Sequence, residues 1–246
     1  MSANFISSPD QRRIRSVEKE VLVMRFLRQH IWSTQEILQL VLGLSSRQAT
    51  HKTLTKIEEK GYLRRHTYQT LGGKITIWGI TSQGQTIAFN VENESLISTY
   101  FEPNRISEQT IHHQLDIQKL RLKAEIAGWI NWIDGDRLGA FDKNQKRPDA
   151  IALDCRSKRV AIECERTFKS LKRYEQILVE YLKLIKIGQI DNVVWVCPTL
   201  EMAARLRKIF RSFTSVRVNG QQVLIEPERH HTNIYFCSYE QWPNYE

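Results

Sequence analysis

Closely spaced cysteines, long apolar runs and internal repeats are all missing from this 246-residue sequence. Its four cysteines, Cys155, Cys164, Cys197 and Cys237, form no C-x-x-C pair, which argues against a disulfide framework and a zinc finger. No stretch approaches the roughly 18 apolar residues that a membrane span needs, and the first residues lack the apolar core of a secretion signal. We therefore expect a cytoplasmic protein with reduced thiols and no membrane insertion.

Positive charge is what the sequence has in excess. Lys and Arg number 36 against 27 Asp and Glu, which gives a net charge of +9 and a pI near 9.4. Such a protein attracts polyanions, nucleic acid above all, although basic proteins that bind only other proteins are common. A hydrophobic fraction of 41% excludes a disordered chain, and the length favours two domains over one.

The first part of the chain is predicted to form three helices and a hairpin. Apolar residues recur with helical spacing, Ser and Thr caps precede the second and third helices, and glycines follow them. The predicted elements are helices at 14–29, 35–40 and 47–60 and strands at 62–65 and 75–80. This order is typical of a winged helix-turn-helix, which we place at residues 1–100. The next segment, 81–85, fits either a closing helix or a simple turn.

Polar residues of the third helix and the hairpin are the candidate DNA-binding residues. A major groove admits one helix, whose polar face can reach base edges and phosphates together, while a hairpin holds the flanking backbone. The predicted residues are Arg47, Gln48, His51, Lys52 and Lys56 on the helix and Arg64, Arg65 and Lys74 on the hairpin. The alternative is a solvated helix in a winged helix that binds protein.

A linker is predicted at 91–106, and a second domain at 107–246. The patterns in this domain predict helices at 111–126 and 168–187 and strands at 129–133, 148–153, 159–165 and 192–197. The order α-β-β-β-α-β is typical of a mixed α/β core, so the whole chain is predicted to combine α+β and α/β architecture.

Three acidic residues lie on the second and third strands of this domain. Glu163 and Glu165 share one face of a strand, and an antiparallel turn near Arg156 places Asp149 opposite one of them. Converging carboxylates repel each other unless they are neutralised, and their hard oxygen atoms suit Mg²⁺ or Mn²⁺. We therefore expect all three acids to bind a metal that activates water at a phosphodiester. Alternatively, Glu163 and Glu165 pair with basic neighbours on a solvated edge strand.

Asp149 followed by Glu163-x-Glu165, within this order of elements, resembles the PD-(D/E)xK core of restriction endonucleases. The resemblance implies that Asp149 and Glu163 bind the metal. The third position is usually Lys in that family and is Glu165 here, as in some members, where it would serve as ligand or base. The missing Lys is then Lys169 or Lys172, at the start of the following helix.

Longer sequence segments extend the resemblance along the chain. Together with an N-terminal winged helix, these segments resemble those of the MobC mobilisation proteins, a relaxase class related to restriction endonucleases. The segments are Arg147-Pro148-Asp149-Ala150, Glu163-Cys164-Glu165-Arg166-Thr167 and Lys172-Arg173-Tyr174. The resemblance implies a metal-dependent, site- and strand-specific nick at a plasmid transfer origin, with accessory mobilisation and coupling proteins as further partners.

Two alternatives stay open at this point. The nucleophile is either metal-activated water, which we favour, or a tyrosine such as Tyr174, which also fits the apolar stripe of its helix. The same architecture occurs in the broader replication-relaxation group of plasmid proteins. The alternative function is therefore a non-catalytic, DNA-binding regulator of plasmid replication or transcription.

Overall fold

The computed structural model describes residues 8–70, 72–89, 99–139 and 146–245. The chain divides into two compact units, residues 1–118 and 119–246, called unit 1 and unit 2 below. The division falls inside a long helix and not in the predicted linker. The first half of that linker, at 91–98, lies outside the described residues.

Unit 1 starts with helices and continues with a hairpin. Its elements are α1 (Pro9–His30), β1 (Trp32–Thr34), α2 (Gln35–Leu42), α3 (Arg47–Glu59), β2 (Leu63–Thr70), β3 (Gly73–Ile80), α4 (Ser82–Ala88) and the first part of α5 (Glu108–Ile126). Side chains cap the helices, since Thr34 accepts from the backbone N–H of Ile37 and Ser46 from that of Ala49. Gly43 ends α2 in the left-handed conformation that favours glycine.

The sheet of unit 1 has the order β1-β3-β2, and both pairs of strands are antiparallel. Helices α1, α2 and α3 contact one another and bury Leu27, Ile37 and Leu54 completely. Burying a side chain of this size is worth about 1.5–3 kcal/mol. Ile77 of β3 is also fully buried, and α3 contacts β2. The core therefore fixes the position of α3 against the hairpin.

The segment at 81–85 begins a helix, α4, and is not a simple turn. The Thr81 hydroxyl donates to the carbonyl of Gly61 at 2.7 Å and accepts from the N–H of Gly84 at 3.0 Å. A Cβ on Gly84 would lie 2.2 Å from the Tyr62 carbonyl oxygen, so no larger residue fits there. These contacts close α4 onto the end of α3.

The chain that follows α4 stays with unit 1. The Tyr68 hydroxyl of β2 donates to the Pro103 carbonyl at 2.9 Å. The buried Gln118 side chain of α5 donates to the Trp32 carbonyl at 2.8 Å and accepts from the Ser33 hydroxyl at 2.6 Å. These bonds assign the start of α5 to the first unit, which explains why the division lies beyond the predicted linker.

Unit 2 contains the end of α5 and a larger sheet. Its further elements are β4 (Ile130–Asp134), β5 (Ala150–Leu153), β6 (Arg159–Cys164), α6 (Leu171–Lys186), β7 (Asn192–Cys197), α7 (Leu200–Arg211), β8 (Ser215–Val218), β9 (Gln221–Leu224), α8 (Pro227–His230) and β10 (Ile234–Ser238). From α5 to β7 the order is α-β-β-β-α-β, as the sequence predicted.

The main sheet of unit 2 has the strand order β10-β7-β6-β5-β4. Strands β4, β5 and β6 pair antiparallel, whereas β6, β7 and β10 pair parallel. Buried side chains of α6 and α7, including Tyr181 and Phe210, form one cluster with Trp195 of β7 and Ala161 of β6. Because α6 packs on the face of β6 that carries the odd-numbered residues, that face is also where Glu163 of β6 points.

The protein is therefore a mixed α+β fold with a mixed sheet and several helices. Within the described ranges, no helix combines the length and apolar character that crossing a bilayer requires.

Candidate functional site

A concave, basic surface of about 910 Å³ lies between the start of α3 and the β2–β3 hairpin. Five of the eight predicted DNA-binding residues line it, namely Arg47, Gln48, His51, Arg65 and Lys74. We call this surface the basic groove. Cations contact phosphates, and amide or imidazole groups can reach base edges, so the groove offers both kinds of DNA contact.

Neighbouring side chains hold the groove residues in place. The Gln35 side chain donates to the Arg47 carbonyl at 2.8 Å, and its oxygen lies 3.3 Å from Nδ1 of His51. The Arg65 guanidinium lies 5.3 Å from the ring centroid of the buried Trp78, a cation–π distance. The groove is therefore partly pre-organised.

The other three predicted DNA-binding residues do not line the groove. Lys56 turns to α1, where its Nζ lies 2.8 Å from a carboxylate oxygen of Glu20 and 2.8 Å from the Ser16 hydroxyl. Arg64 points to the opposite face of β2 from Arg65, because successive residues alternate. Lys52 is exposed elsewhere on α3.

The contact between Lys56 and Glu20 is a structural ion pair. Lys60 also contacts Glu20, at 2.5 Å. Burial by itself would raise the pKa of Glu20, but the hydrogen bonds and charges of the two ammonium groups outweigh it and the pKa is lowered. Lys56 thus neutralises an acid of its own unit.

The second cluster of charged residues lies in unit 2, around Asp149 and Glu163. Ala150 of β5 pairs with Ile162 of β6, and the Asp149 N–H donates to the Ile162 carbonyl at 3.0 Å. This antiparallel register places Asp149 opposite Glu163, so both side chains lie on one face, as predicted. A carboxylate oxygen of Asp149 also accepts from the N–H of Cys164 at 2.8 Å. We call the two acids the acid pair.

Glu163 is almost completely buried, with 4% of its surface exposed. Its Oε1 lies 2.6 Å from Nζ of Lys146 and accepts a hydrogen bond from the hydroxyl of Tyr181. Burial raises the pKa of Glu163 to about 7, and the negative charge of Asp149 acts in the same direction, whereas Lys146 opposes it. Glu163 therefore exchanges its proton near neutral pH, a property common in functional carboxyl groups.

Glu165 is not brought into this cluster. Both of its carboxylate oxygens lie 2.5 Å from Nζ of Lys169, and the Glu165 side chain is also buried. Among the residues that the structure describes, no three His, Cys, Asp or Glu side chains are grouped to hold a metal ion. The expected convergence of three carboxylates is thus not found, because Lys169 binds the third one.

The two candidate lysines differ in their placement. Lys169 precedes the first turn of α6 and reaches back to Glu165, whereas Lys172 is exposed on that turn. The structure also corrects the alternative in which the strand of Glu163 lies at the edge of the sheet. Strand β6 lies between β5 and β7 inside the sheet, although Glu163 and Glu165, at the end of β6 and directly after it, do pair with basic residues, as that alternative expected.

Lys146 and Tyr181 are the two site residues that sequence reasoning missed. Tyr181 belongs to the apolar stripe of α6, and only packing of that stripe on β6 brings its hydroxyl to Glu163. Lys146 stands three residues before Asp149 in the string Lys146-Arg147-Pro148-Asp149, outside any periodic element. The one signal in the sequence for Lys146 is that it belongs to a basic segment directly before Asp149, the acidic residue at the start of the predicted strand.

Comparison with known proteins places these features in a family. The model of the replication-relaxation family matches residues 24–195, a range that contains both the basic groove and the acid pair. No curated protein and no solved structure matches the chain. The match covers 172 of the 246 residues, counted from 24 to 195. On that coverage, the chain belongs to the replication-relaxation family.

Proposed function

We propose that the protein binds plasmid DNA and nicks one strand in a metal-dependent reaction, during replication or mobilisation. Family membership supports a role in plasmid DNA processing. The observation that carries the nicking step is the acid pair, in which Asp149 and the buried Glu163 share one face of adjacent strands. We further propose that unit 2 is a PD-(D/E)xK-like nuclease domain related to the MobC class.

In this proposal unit 1 is a winged helix that recognises duplex DNA. Three helices are followed by a hairpin whose sheet includes β1, and the basic groove lies where α3 and the hairpin meet. Insertion of α3 into a major groove would bring Arg47, Gln48 and His51 to base edges or phosphates. Arg65 and Lys74 would then contact the flanking backbone.

The donor chemistry of the acid pair fits Mg²⁺ or Mn²⁺. Asp149 and Glu163 offer hard carboxylate oxygens, and the charge of Asp149 raises the pKa of Glu163, which is a repulsion that a cation relieves. These two residues would hold the ion, which when bound polarises a phosphodiester and lowers the pKa of an attacking water. Lys146 neutralises Glu163 in the described arrangement.

The Glu165–Lys169 pair has a separate role in this proposal. Glu165, which lies outside the acid pair, is proposed to act as a base, and Lys169 to stabilise phosphate charge, with Lys172 as the alternative cation. The contact between Lys169 and Glu165 supports this assignment, because it places an ammonium group at the third position of the motif, where the nuclease family usually carries Lys.

Water is the proposed nucleophile. Tyr174 and Tyr181 are both fully buried, and burial raises the pKa of each hydroxyl. The Tyr174 hydroxyl is also bound by the N–H of Lys169 at 3.0 Å. A buried phenol that holds its proton this strongly is a poor nucleophile, whereas metal-activated water needs no tyrosine.

The proposal is tested with supercoiled plasmid carrying the candidate transfer origin, incubated with Mg²⁺ or with a chelator. With wild-type protein, we expect nicked circles when Mg²⁺ is present and none when the chelator is present. Glu163→Gln should abolish nicking and leave duplex binding intact, whereas Glu240→Gln, a change at an exposed glutamate of the same unit, should nick normally. Nicking by Glu163→Gln at the wild-type rate would rule out the acid pair as the catalytic site.

A non-catalytic DNA-binding regulator is the second candidate. The observation that favours it is that both buried glutamates already have a cationic partner, Lys146 for Glu163 and Lys169 for Glu165. Such pairs also occur as purely structural elements. This candidate expects tight duplex binding without any metal-dependent nicking by the wild-type protein.

A further inference from the structure

A second basic concavity, of about 480 Å³, lies in unit 2 between α6 and the β8–β9 hairpin. Among the residues that the structure describes, four cationic side chains, Lys146, Arg173, Lys183 and Arg217, line it together with one acidic side chain, Glu180. The described lining thus has an excess of three positive charges, although Lys183 pairs with Glu180 at 2.8 Å and Lys146 pairs with Glu163. We call this surface the basic cleft; the proposed duplex-binding groove belongs to the other unit.

The walls of the basic cleft are held together by packing and by a hydrogen bond. Val216 of β8 is 2% exposed and belongs to the same buried cluster as Ile177 of α6. The backbone N–H of Arg217 donates to the Glu175 carboxylate of α6 at 2.8 Å. The hairpin is therefore anchored on the helix, and the Arg217 side chain, which does not make that bond, remains exposed.

The spacing of the cations matches a nucleic-acid backbone. Arg173 and Lys183 are ten residues apart on α6, which corresponds to about 15 Å along the helix axis. This length is enough for the row of charges to contact several successive phosphates of one strand. A groove with cationic walls that follows one backbone is the usual way in which proteins bind a single strand.

One residue connects the cleft with the acid pair. Lys146 lines the cleft, and its Nζ lies 2.6 Å from Oε1 of Glu163. A strand bound along α6 would therefore have its backbone beside the acid pair.

We propose that the basic cleft binds the sugar–phosphate backbone of a single DNA strand. Arg173, Lys183 and Arg217 contact phosphates there, and Asn219 at the hairpin tip adds a neutral donor. Presentation of the strand to the acid pair rests on the proposed nicking function, whereas strand binding itself requires no cleavage. Unit 1 would recognise the duplex, and unit 2 would hold the strand to be cut.

The test measures binding of a labelled single-stranded oligonucleotide to the full chain, by fluorescence anisotropy with chelator present and at several salt concentrations. We expect Arg173→Ala/Arg217→Ala to bind roughly tenfold more weakly. The slope of log affinity against log salt should become shallower by about 1.4, because each single-strand phosphate that is no longer neutralised by a cation reduces the slope by about 0.7.

Two further variants control for charge and folding. Lys208→Ala/Arg229→Ala removes two exposed cations of unit 2 outside the cleft and should bind the strand nearly as wild type does. Arg173→Lys/Arg217→Lys keeps both charges and should retain the wild-type salt slope. Thermal unfolding of all variants should match that of wild type, because the changed side chains are exposed.

The proposal is overturned if the cleft variant binds the strand as tightly as wild type, or if the control variant is weakened to the same degree. Because no metal is present and no cleavage is scored, a failure of the nicking function leaves this result unchanged. Conversely, loss of nicking in Glu163→Gln with strand binding preserved would support the nicking proposal, while the cleft variant alone decides the binding proposal.

Discussion

The charged side chains of the basic groove in unit 1 are exposed to solvent, whereas Glu163 of the acid pair in unit 2 is buried. Arg47 and Lys74 are exposed in the groove, and Arg65 lies over a tryptophan ring. Glu163, in contrast, is buried against Lys146 and a tyrosine hydroxyl. Exposed charges lower the free energy of unfolding only slightly. They attract charged ligands through an electrostatic field that salt screens. A buried charge costs folding free energy and acquires a shifted pKa.

The strongest test of this contrast is Glu163→Gln. The pKa of Glu163 is about 7 in the folded protein and has its ordinary value of 4.5 in the unfolded chain. The free energy of unfolding of wild type therefore falls as pH rises between these values. The variant lacks this dependence and should be more stable by about 3 kcal/mol at pH 8.

Urea unfolding across a pH series measures this effect. The two proteins should converge at pH 4, where the carboxyl group is protonated in both states. A variant that is less stable than wild type at pH 8 would show that the contact with Lys146 outweighs the burial of the charge.

Tyr181→Phe should have the next largest effect. It keeps the ring that packs 5.3 Å from Trp195 and removes the hydroxyl that donates to Glu163. Because that hydrogen bond favours the carboxylate, its removal should raise the pKa of Glu163 further and lower stability at pH 8 by about 1–2 kcal/mol. Carbon NMR of the carboxyl group reports the pKa. Tyr100→Phe, at an exposed tyrosine, is the control and should change neither quantity.

In the basic groove the expected changes are in affinity and not in stability. Arg47→Ala should weaken duplex binding, reduce the salt slope by about 0.9, and change the free energy of unfolding by less than about 0.5 kcal/mol. Lys56→Ala should weaken binding less, because Lys56 is held by Glu20 outside the groove. Salt-dependent anisotropy with a duplex compares the two, and an equal reduction of affinity in both would show that α3 binds DNA through a wider face.

The smallest effect is expected for Glu20→Gln. The pKa of Glu20 is lowered because the ammonium groups of Lys56 and Lys60 outweigh its burial. Its contribution to stability is therefore present above the ordinary pKa of 4.5 and disappears as pH falls. The variant should be about 0.5–1 kcal/mol less stable at pH 7 and nearly equal to wild type in acid. A difference that persists in acid would instead indicate poorer packing.

Helices were predictable where apolar spacing and caps agreed. Thr34 caps the start of α2 and Gly43 caps its end, as their residue types suggested, and α3 starts after Ser46. The three-residue strand β1 had no such signal, because so short a segment has no measurable period and forms only by pairing with β3. The same limit explains why β8 was not predicted.

The acid pair was predictable because alternation and antiparallel pairing depend only on positions along two neighbouring strands. Asp149 and Glu163 follow from that rule, whereas the partner of each glutamate does not. Whether Glu165 meets the other acids or Lys169 depends on the path of the chain between β6 and α6, which no periodicity encodes.

By itself, the sequence determined the positive net charge, the α-β-β-β-α-β order from α5 to β7, the polar face of α3 and the shared face of Asp149 and Glu163. These properties are local or follow from the period of a helix or strand. Only the tertiary structure decided which lysines stay in the groove, that Glu163 is buried beside Lys146 and Tyr181, and that α6 and a late hairpin enclose a basic cleft. Such features depend on packing between residues far apart in the chain, and packing has no signature in local spacing.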